Sequence, residues 1–361
     1  MKEKFILKNI WLHRSALLIM IFVVIVTGCS NQNPDENESD NTSYGDGNPF
    51  EVDEKETVNL GRVGHGFVNP KVDENDARLP LTYDGGELKI DYSVTASGKA
   101  KNVGFLVFLD GIPQPYKFNT KEAPYEYMHI FDLEEDDKDT PFTFVFTPIT
   151  GKQGETLDLN ITSIYNPAFI PDMKETSSYG GYHSTLQSIS SVVFEKGADV
   201  LEAASIPKND YLRNVRLSTE PVTKELLEKH EKHSAMKIDL ETLEKLVINE
   251  LNFDGDSAMN IDNLKINDSG TLNVTFKLFG HPGLQYQNTF YINHQALTTE
   301  DGNTSFETVL AKGEVAVIDV EIDLESLEDF NTFYVVSVPT NTEDFPDDAF
   351  LIKSESVLLY K

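Results

Sequence analysis

Leu88-Lys89-Ile90-Asp91-Tyr92-Ser93-Val94, entered through Asp84-Gly85-Gly86, alternates apolar and polar side chains one by one. Side chains of an extended chain point to opposite faces with period two, so this stretch predicts a strand with one face in a core and the other toward water. Working outward, Val103 to Leu109 is apolar on both faces and stops at Asp110-Gly111, which predicts a central strand ending in a turn. Tyr125 to Phe131, Phe142 to Phe146 and Leu157 to Tyr165 follow, and Ser191 to Phe194 closes the set before Lys196-Gly197. Short strands punctuated by turns predict an antiparallel β-sandwich of immunoglobulin or fibronectin type III character over residues 57–197. With one cysteine and one tryptophan in the whole chain, the inter-sheet Cys–Trp–Cys core of antibody domains is absent, and the expectation stays at the level of architecture.

Between 198 and 255 the period changes. Pro221 suits a first helical turn, and Glu225–Lys229 and Glu228–Lys232 are i,i+4 pairs in the favourable orientation, so a solvent-facing helix is expected over 221–234. From Leu240, positions 243, 247 and 251 continue at helical spacing behind Asp239 as an N-cap. This reads as a connector of short helices. A second β domain is expected over 256–361, where Leu272 to Leu278 and Ala316 to Leu324 alternate, joined by Phe290 to Ile292, Phe333 to Val338 and Phe350 to Tyr360. The overall expectation is a mainly β chain with two tandem sandwiches. Two echoes connect distant parts: Asp84 to Tyr92 can be laid over Asp268 to Phe276, and Ile238-Asp-Leu-Glu-Thr-Leu-Glu244 nearly repeats as Ile322-Asp-Leu-Glu-Ser-Leu-Glu328.

The formal net charge is −30, and the first 28 residues hold four of the 30 cations but one of the 60 acids, so the remainder is more acidic still. Such a charge repels nucleic acid and anionic headgroups, which excludes nucleic acid as a partner. Residues 1–15 carry Lys2, Lys4, Lys8 and Arg14 against Glu3, and 16–26 are unbroken and apolar. That is the charged n-region and apolar h-region of a signal peptide, shorter than the roughly 20 residues a membrane-spanning helix needs; the alternative is an uncleaved anchor recruiting Ile10, Trp11 and Leu12.

The run closes at Val26-Thr27-Gly28-Cys29, which holds the only cysteine and resembles a bacterial lipobox. The resemblance implies cleavage between Gly28 and Cys29, removal of 1–28 as signal peptide, and lipidation of Cys29 with palmitate-class acyl chains. It further implies attachment to the cell membrane on its extracellular face, in an envelope of Gram-positive type. Two acyl chains at about 0.8 kcal/mol per buried CH₂ anchor a protein stably. Residues 29–56 are Asn, Asp, Glu, Ser and Gly with little to bury, which predicts a disordered acidic tether.

Candidate chemistry is sparse. His230-Glu231-Lys232-His233 sets its histidines at i and i+3, whereas a zinc-protease helix needs i and i+4, so they read as partly covered, non-liganding side chains. Asp254, Asp256, Asn260 and Asp262 occupy calcium-loop places but lack the glycine and the final acid of an EF-hand, leaving only a looser calcium site open; no cofactor is assigned. The acidic run Glu134 to Asp139 reads as a solvated hairpin loop. Tyr116, Tyr125, Tyr127, Tyr165, Tyr179, Tyr182 and His183 fall in strand connections of the first domain and are expected to form a binding rim at one end of the sandwich. No catalytic residue is assigned. The reading is a membrane-anchored, non-catalytic binding, adhesion or accessory module for an extracellular protein, peptide or wall component. The alternative is an extracytoplasmic hydrolase using carboxylates.

Overall fold

In the computed structural model, Leu88–Ser97 is a strand in which Leu88, Ile90, Tyr92, Val94 and Ala96 are buried, while Lys89 and Asp91 face water. The structure describes residues 61–98, 100, 102–168, 185–199, 201, 207, 212–257 and 263–361. In chain order the first sandwich comprises β1 (Arg62–Phe67), β2 (Leu81–Tyr83), β3 (Leu88–Ser97), β4 (Asn102–Leu109), β5 (Ile112–Pro113), β6 (Lys117–Phe118), β7 (Ile130–Asp132), β8 (Thr140–Phe146), β9 (Thr156–Tyr165) and β10 (Thr185–Phe194). One sheet runs β1-β3-β8-β6; the other runs β2-β10-β9-β4-β5, with β7 on β4. The leading segment is split between the sheets, β1 lying antiparallel to β3 and β2 parallel to β10, as in immunoglobulin-like sandwiches.

The second sandwich comprises β11 (Leu212–Pro221), β12 (Val247–Phe253), β13 (Asp256–Ser257), β14 (Asn263–Lys265), β15 (Thr271–Gly280), β16 (Gln285–Ile292), β17 (Gln295–Ala296), β18 (Phe306–Val309), β19 (Glu314–Asp323), β20 (Phe330–Pro339), β21 (Ile352–Lys353) and β22 (Val357–Tyr360). Its sheets run β11-β19-β15-β12-β13 and β14-β22-β20-β16-β17. The order of the first sandwich recurs, β12-β15-β19 matching β1-β3-β8 and β14-β22-β20-β16 matching β2-β10-β9-β4. The Asp84–Tyr92 and Asp268–Phe276 echo therefore aligns equivalent strands, β3 with β15. Chain and fold agree on a mainly β protein of two sandwiches.

The segment expected as a helical connector is different. Helix α1 is confined to Lys224–Glu231, capped by Thr223, whose Oγ1 accepts from the Leu226 amide at 3.2 Å. Pro221 ends β11 instead of opening the helix, and residues 247–253 are a strand preceded by a single 3-10 turn at Thr242–Glu244. Glu241, not Asp239, stands at the N-cap of that turn; Asp239 precedes it, its Oδ1 accepting from the amides of Glu241 and Thr242 at 3.0 Å each. The helix pair that forms is Lys224–Glu228 at 2.8 Å, while Lys229 turns to Glu250.

Among the described residues four cores form, one of them packing Leu226 of α1 and Leu243 on Phe279, Val315 and Val317. Phe105, Tyr92, Phe142 and Phe144 fill the first sandwich; Phe276, Phe290, Ile318 and Phe333 fill the second. The third lies between the sandwiches, where Leu106, Phe108, Tyr127, Met128 and Ile164 meet Tyr291, Tyr334, Val336 and Val338. β4 is apolar on both faces for this reason: its odd positions enter the first core and its even ones the seam. Gly104 belongs to the same contact, since a Cβ there would stand 2.4 Å from Met128 Sδ. At the seam His294 donates from Nε2 to the Pro167 carbonyl at 2.8 Å and accepts from Tyr334 Oη at Nδ1, 3.0 Å.

Candidate functional site

The strand β12 ends in Asp254-Gly255, whose φ angles of 48° and 91° make the two-residue turn preferred in hairpins, with Phe253 paired to Asp256. In such a hairpin the amide and carbonyl of Phe253 point toward β13, and with period two so do those of Leu251, Asn249 and Val247. The even positions point to the other neighbour: the Asp254 amide donates to the Asn273 carbonyl at 2.9 Å. β13 reaches only as far as Ser257, opposite Asn252. Among the described residues nothing pairs with the outer edge of β12 from Val247 to Leu251.

That edge forms one wall of a cleft of about 390 Å³. Leu246, Ile248, Asn249, Glu250 and Leu251 come from β12 and its approach; His230, His233, Ser234 and Ile238 come from α1 and the turn after it. Lys353, Ser354, Glu355 and Val357 come from the β21–β22 connection of the facing sheet. The lining is mixed polar and apolar, as small-ligand and peptide sites are.

Glu250 is the buried charge of this wall. Burial alone would raise its pKa, but hydrogen bonds from His230, Lys229 and Asn252 and the charge of Lys229 outweigh burial and hold it at about 2. His230 Nε2 lies 3.1 Å from Glu250 Oε2 and Lys229 Nζ 3.0 Å from Oε1. His230 also packs edge-on against Phe279, 5.4 Å between centroids. Across the cleft, Lys353 Nζ donates to the Ser354 carbonyl and Ser356 Oγ at 2.9 Å each and sits 4.6 Å over the Tyr334 ring. Burial lowers its pKa to about 7, against the pull of Glu355. Ser356 is buried, so its hydroxyl ties the connection together.

The residues singled out from sequence are scattered. Tyr116 is fully buried, its hydroxyl donating to the Phe105 carbonyl at 2.9 Å and accepting from the His129 amide at 3.1 Å. Tyr127 is buried in the seam. Both are core side chains, which corrects their placement on an exposed rim: a tyrosine in a strand connection can bury its ring as readily as display it, provided its hydroxyl is satisfied or tolerated. Tyr125 is half-buried with the Lys117 ammonium 4.7 Å over its ring, and Tyr165 is half-buried against the same core. Gly28, Cys29, Tyr179, Tyr182, His183, Asn260 and Asp262 lie outside the described residues. Asp254 uses its Oδ1 to accept from the amide and Nδ2 of Asn273, at 3.2 and 3.0 Å, and so fastens the hairpin; of the Asp256 side chain nothing is described. Among the described residues no three His, Cys, Asp or Glu side chains are placed to hold a metal ion.

A second acidic point stands at the β4–β5 turn. Burial, then the charges of Asp158, Glu155 and Glu307, raise the Asp110 pKa. Asp158 accepts from Thr342 Oγ1 of the second sandwich at 2.5 Å. Sequence reasoning missed Asn249 and Glu250 altogether. The available signal was the pair of polar residues inside Val247-Ile-Asn-Glu-Leu-Asn-Phe253, a burial cost that needs partners.

No family model matches this chain, and no curated protein does. Among solved structures, the fibronectin(III)-like modules of Clostridium thermocellum CbhA align over 82% of this chain and 93% of their own at 9% identity and a TM-score of 0.19. The Ig1-Ig2 segment of Dpr2 in complex with DIP-Theta Ig1-Ig3 gives 82%, 64%, 7% and 0.20 in the same order. The YadV chaperone gives 81%, 97%, 7% and 0.20. At these scores the likenesses carry no argument of their own, and the sandwich assignment rests on the strand order described above.

Proposed function

We propose that the chain is an extracellular lipoprotein, held at the membrane by lipid on Cys29, whose two sandwiches act as a non-catalytic binding module for an extracellular protein, peptide or wall component. The observation that supports a binding cleft is the Glu250 network; Lys353 faces it with a pKa lowered to about 7 and is held by the Ser354 carbonyl and the Ser356 hydroxyl. Both carboxylate oxygens are occupied by Lys229 and His230, and a pKa of about 2 makes the group a fixed anion near neutral pH. A general acid or base works with a pKa near the operating pH. Glu250 therefore shapes the cleft wall instead of exchanging protons with a ligand. The anchor rests on Val26-Thr27-Gly28-Cys29 and the apolar run before it. The net charge of −30 disfavours nucleic acid.

In fractionated cells the native protein is expected with the membranes and Cys29→Ala in the soluble fraction; membrane retention of Cys29→Ala overturns the anchor. The hydrolase alternative has one observation in its favour, the raised carboxyl of Asp110 beside Asp158. Purified protein incubated with cell-wall polysaccharide is expected to release no soluble sugar. Release that disappears in Asp110→Asn overturns the non-catalytic reading. No cofactor is assigned, so millimolar calcium is expected to leave the melting temperature unmoved; a rise would place a cation in the acidic loops.

A further inference from the structure

We infer that Lys353 is a covalent attachment point for a small carbonyl compound, its side-chain amine condensing with an aldehyde or ketone that enters the cleft of the second sandwich. This rests on the binding reading above and names a ligand class for it. Three observations carry it. Lys353 lines the cleft, whose volume of about 390 Å³ suits a metabolite-sized molecule, and it is itself only half-buried. Its amine is held in place: β21 is fixed on β20 by the Val336–Lys353 pair, and Nζ lies 2.9 Å from both the Ser354 carbonyl and Ser356 Oγ and 4.6 Å over the Tyr334 ring. The two oxygens that hold this amine are neutral, whereas Lys229 on the opposite wall is paired with the Glu250 carboxylate at 3.0 Å.

A lysine amine attacks a carbonyl only through its lone pair, so it must first be neutral. An exposed lysine titrates near 10.4 and is neutral in roughly one molecule in three thousand at pH 7. Burial brings Lys353 down to about 7, against the pull of Glu355, so about half of the amine is neutral at that pH. Two other titratable groups face it. The Tyr334 ring of β20 favours the cation, and His294 of the β16–β17 turn has its own pKa lowered by burial and then by the Lys353 charge. A neutral amine has two N–H bonds and one lone pair. Ser354 and Ser356 accept the two N–H bonds, which leaves the lone pair for an electrophile. Condensation then balances without a co-reactant: the Nζ lone pair forms the C–N bond, the carbonyl oxygen takes up both amine protons and departs as water, and C=N replaces C=O. Water reverses the imine, so the ligand is held covalently and still released, which suits a binding module.

The test incubates the native full chain with propionaldehyde and cyanoborohydride, which reduces each imine to a stable N-propyl lysine, and reads the modified sites by peptide mass spectrometry. At pH 7 Lys353 is expected to be propylated at least about tenfold faster than Lys152 and Lys224, whose side chains are 88% and 81% exposed. The ratio of the Lys353 rate to theirs is expected to be level below about pH 7 and to fall above it, as the exposed lysines gain neutral amine and Lys353 does not. His233 is an exposed residue of the cleft wall. His233→Trp narrows the entry and is expected to slow capture of the bulkier benzaldehyde at Lys353 at least about tenfold while leaving Lys152 unchanged. Propylation of Lys353 no faster than that of Lys152, or a ratio that stays level above pH 7, overturns covalent capture and leaves a non-covalent binding cleft intact. Equal capture of benzaldehyde by the native protein and His233→Trp also overturns it, because the amine is then reached from outside the cleft. Steady conversion of either aldehyde to a new product without the reductant supports the reactive amine and overturns the non-catalytic reading itself.

Discussion

The two sandwiches share a strand order and differ at one edge. In the first, β1 is fastened across to the other sheet: His65 Nε2 donates to the Leu186 carbonyl of β10 at 3.0 Å, and Nδ1 accepts from Tyr92 Oη at 2.7 Å. Register identifies the counterpart in the second. His65 stands opposite Val94, Asn249 stands opposite Leu278, and the echo lays Val94 over Leu278. Where the first sandwich has a histidine closing the gap between its sheets, the second has a shorter asparagine and an open cleft. A second difference lies at the opposite edge. Beside β8 the first sandwich has, among the described residues, the two of β6, whereas beside β19 the second has β11, eight of whose ten residues pair with it. That long edge is protected by a register break between Arg213 and Arg216, and both arginines pair with acids of β19, Asp323 and Asp319. The long edge is thus guarded, while along the short edge of β12 the described pairing reaches only Asn252 opposite Ser257.

The largest expected effects come from the cores and show how far the sandwiches differ in packing. Phe105 has ring neighbours at 5.1–5.8 Å in His65, Tyr92, Phe131, Phe142 and Phe144. Phe290 meets Phe276, Phe306 and Phe333 at 6.2–6.3 Å. Phe→Ala in a core costs about 3–5 kcal/mol, and Phe105→Ala is expected toward the upper end with Phe290→Ala toward the lower, by urea unfolding. Equal losses would break the comparison at its base. Next comes Tyr334→Ala at the seam, which removes the ring stacked on Tyr291 at 5.1 Å and the hydroxyl on His294. A loss of about 3 kcal/mol is expected; the native protein is expected to unfold in one calorimetric transition and Tyr334→Ala in two. One transition in both proteins would mean that coupling does not run through this seam.

What was legible in the sequence follows from period. β3 and β15 alternate cleanly because one face of each meets a core and the other meets water, and both strands lie where the alternation puts them. β4 announced two buried faces but could not announce that the second is covered by Tyr291 and Tyr334 from residues far along the chain. β12 was misread for a geometric reason. Positions 243, 247 and 251 are spaced by four, and residues four apart share a face in a helix and in a strand alike. β11 was hidden because nearly all its side chains face solvent, so it carries little apolar alternation. The two copies of Ile-Asp-Leu-Glu kept their local chemistry, Asp239 and Asp323 each accepting from the amide two residues on. Their surroundings made one a 3-10 turn and the other a strand end. The cleft was illegible because its walls come from segments about a hundred residues apart, α1 and β12 on one side and the β21–β22 connection on the other.

The Glu250 network gives a smaller and pH-dependent effect. Its folded pKa of about 2 lies below the ordinary value of 4.5, so the stability it contributes is present above about pH 4.5 and is lost as pH falls toward 2. Glu250→Gln keeps the shape but surrenders the charge and leaves Lys229 and His230 without their anion. A loss of about 1–3 kcal/mol is expected at pH 7, shrinking toward zero near pH 2 in acid-unfolding curves. A loss that is the same at pH 7 and pH 2 would show that the ion pair contributes nothing specific to the charge.

The smallest effect sharpens the comparison most, because it converts one sandwich's edge into the other's. His65 and His294 are built alike: each accepts from a tyrosine hydroxyl at Nδ1 and donates from Nε2 to a main-chain carbonyl, and burial lowers each from 6.5 to about 4. A folded pKa below the unfolded one means the unfolded chain binds more protons between the two values. Stability from each histidine is therefore complete above about pH 6.5 and declines as pH falls toward 4. His65→Asn gives β1 the residue that β12 carries at the same register. It is expected to cost about 1 kcal/mol at pH 7 and to remove its share of the slope between pH 6.5 and 4, leaving that of His294. Amide exchange should quicken along β1 and near Leu186 while the seam stays protected. If the slope persists unchanged in His65→Asn, the histidine does not close that edge, and the open cleft beside Asn249 must owe its existence to the β21–β22 connection instead.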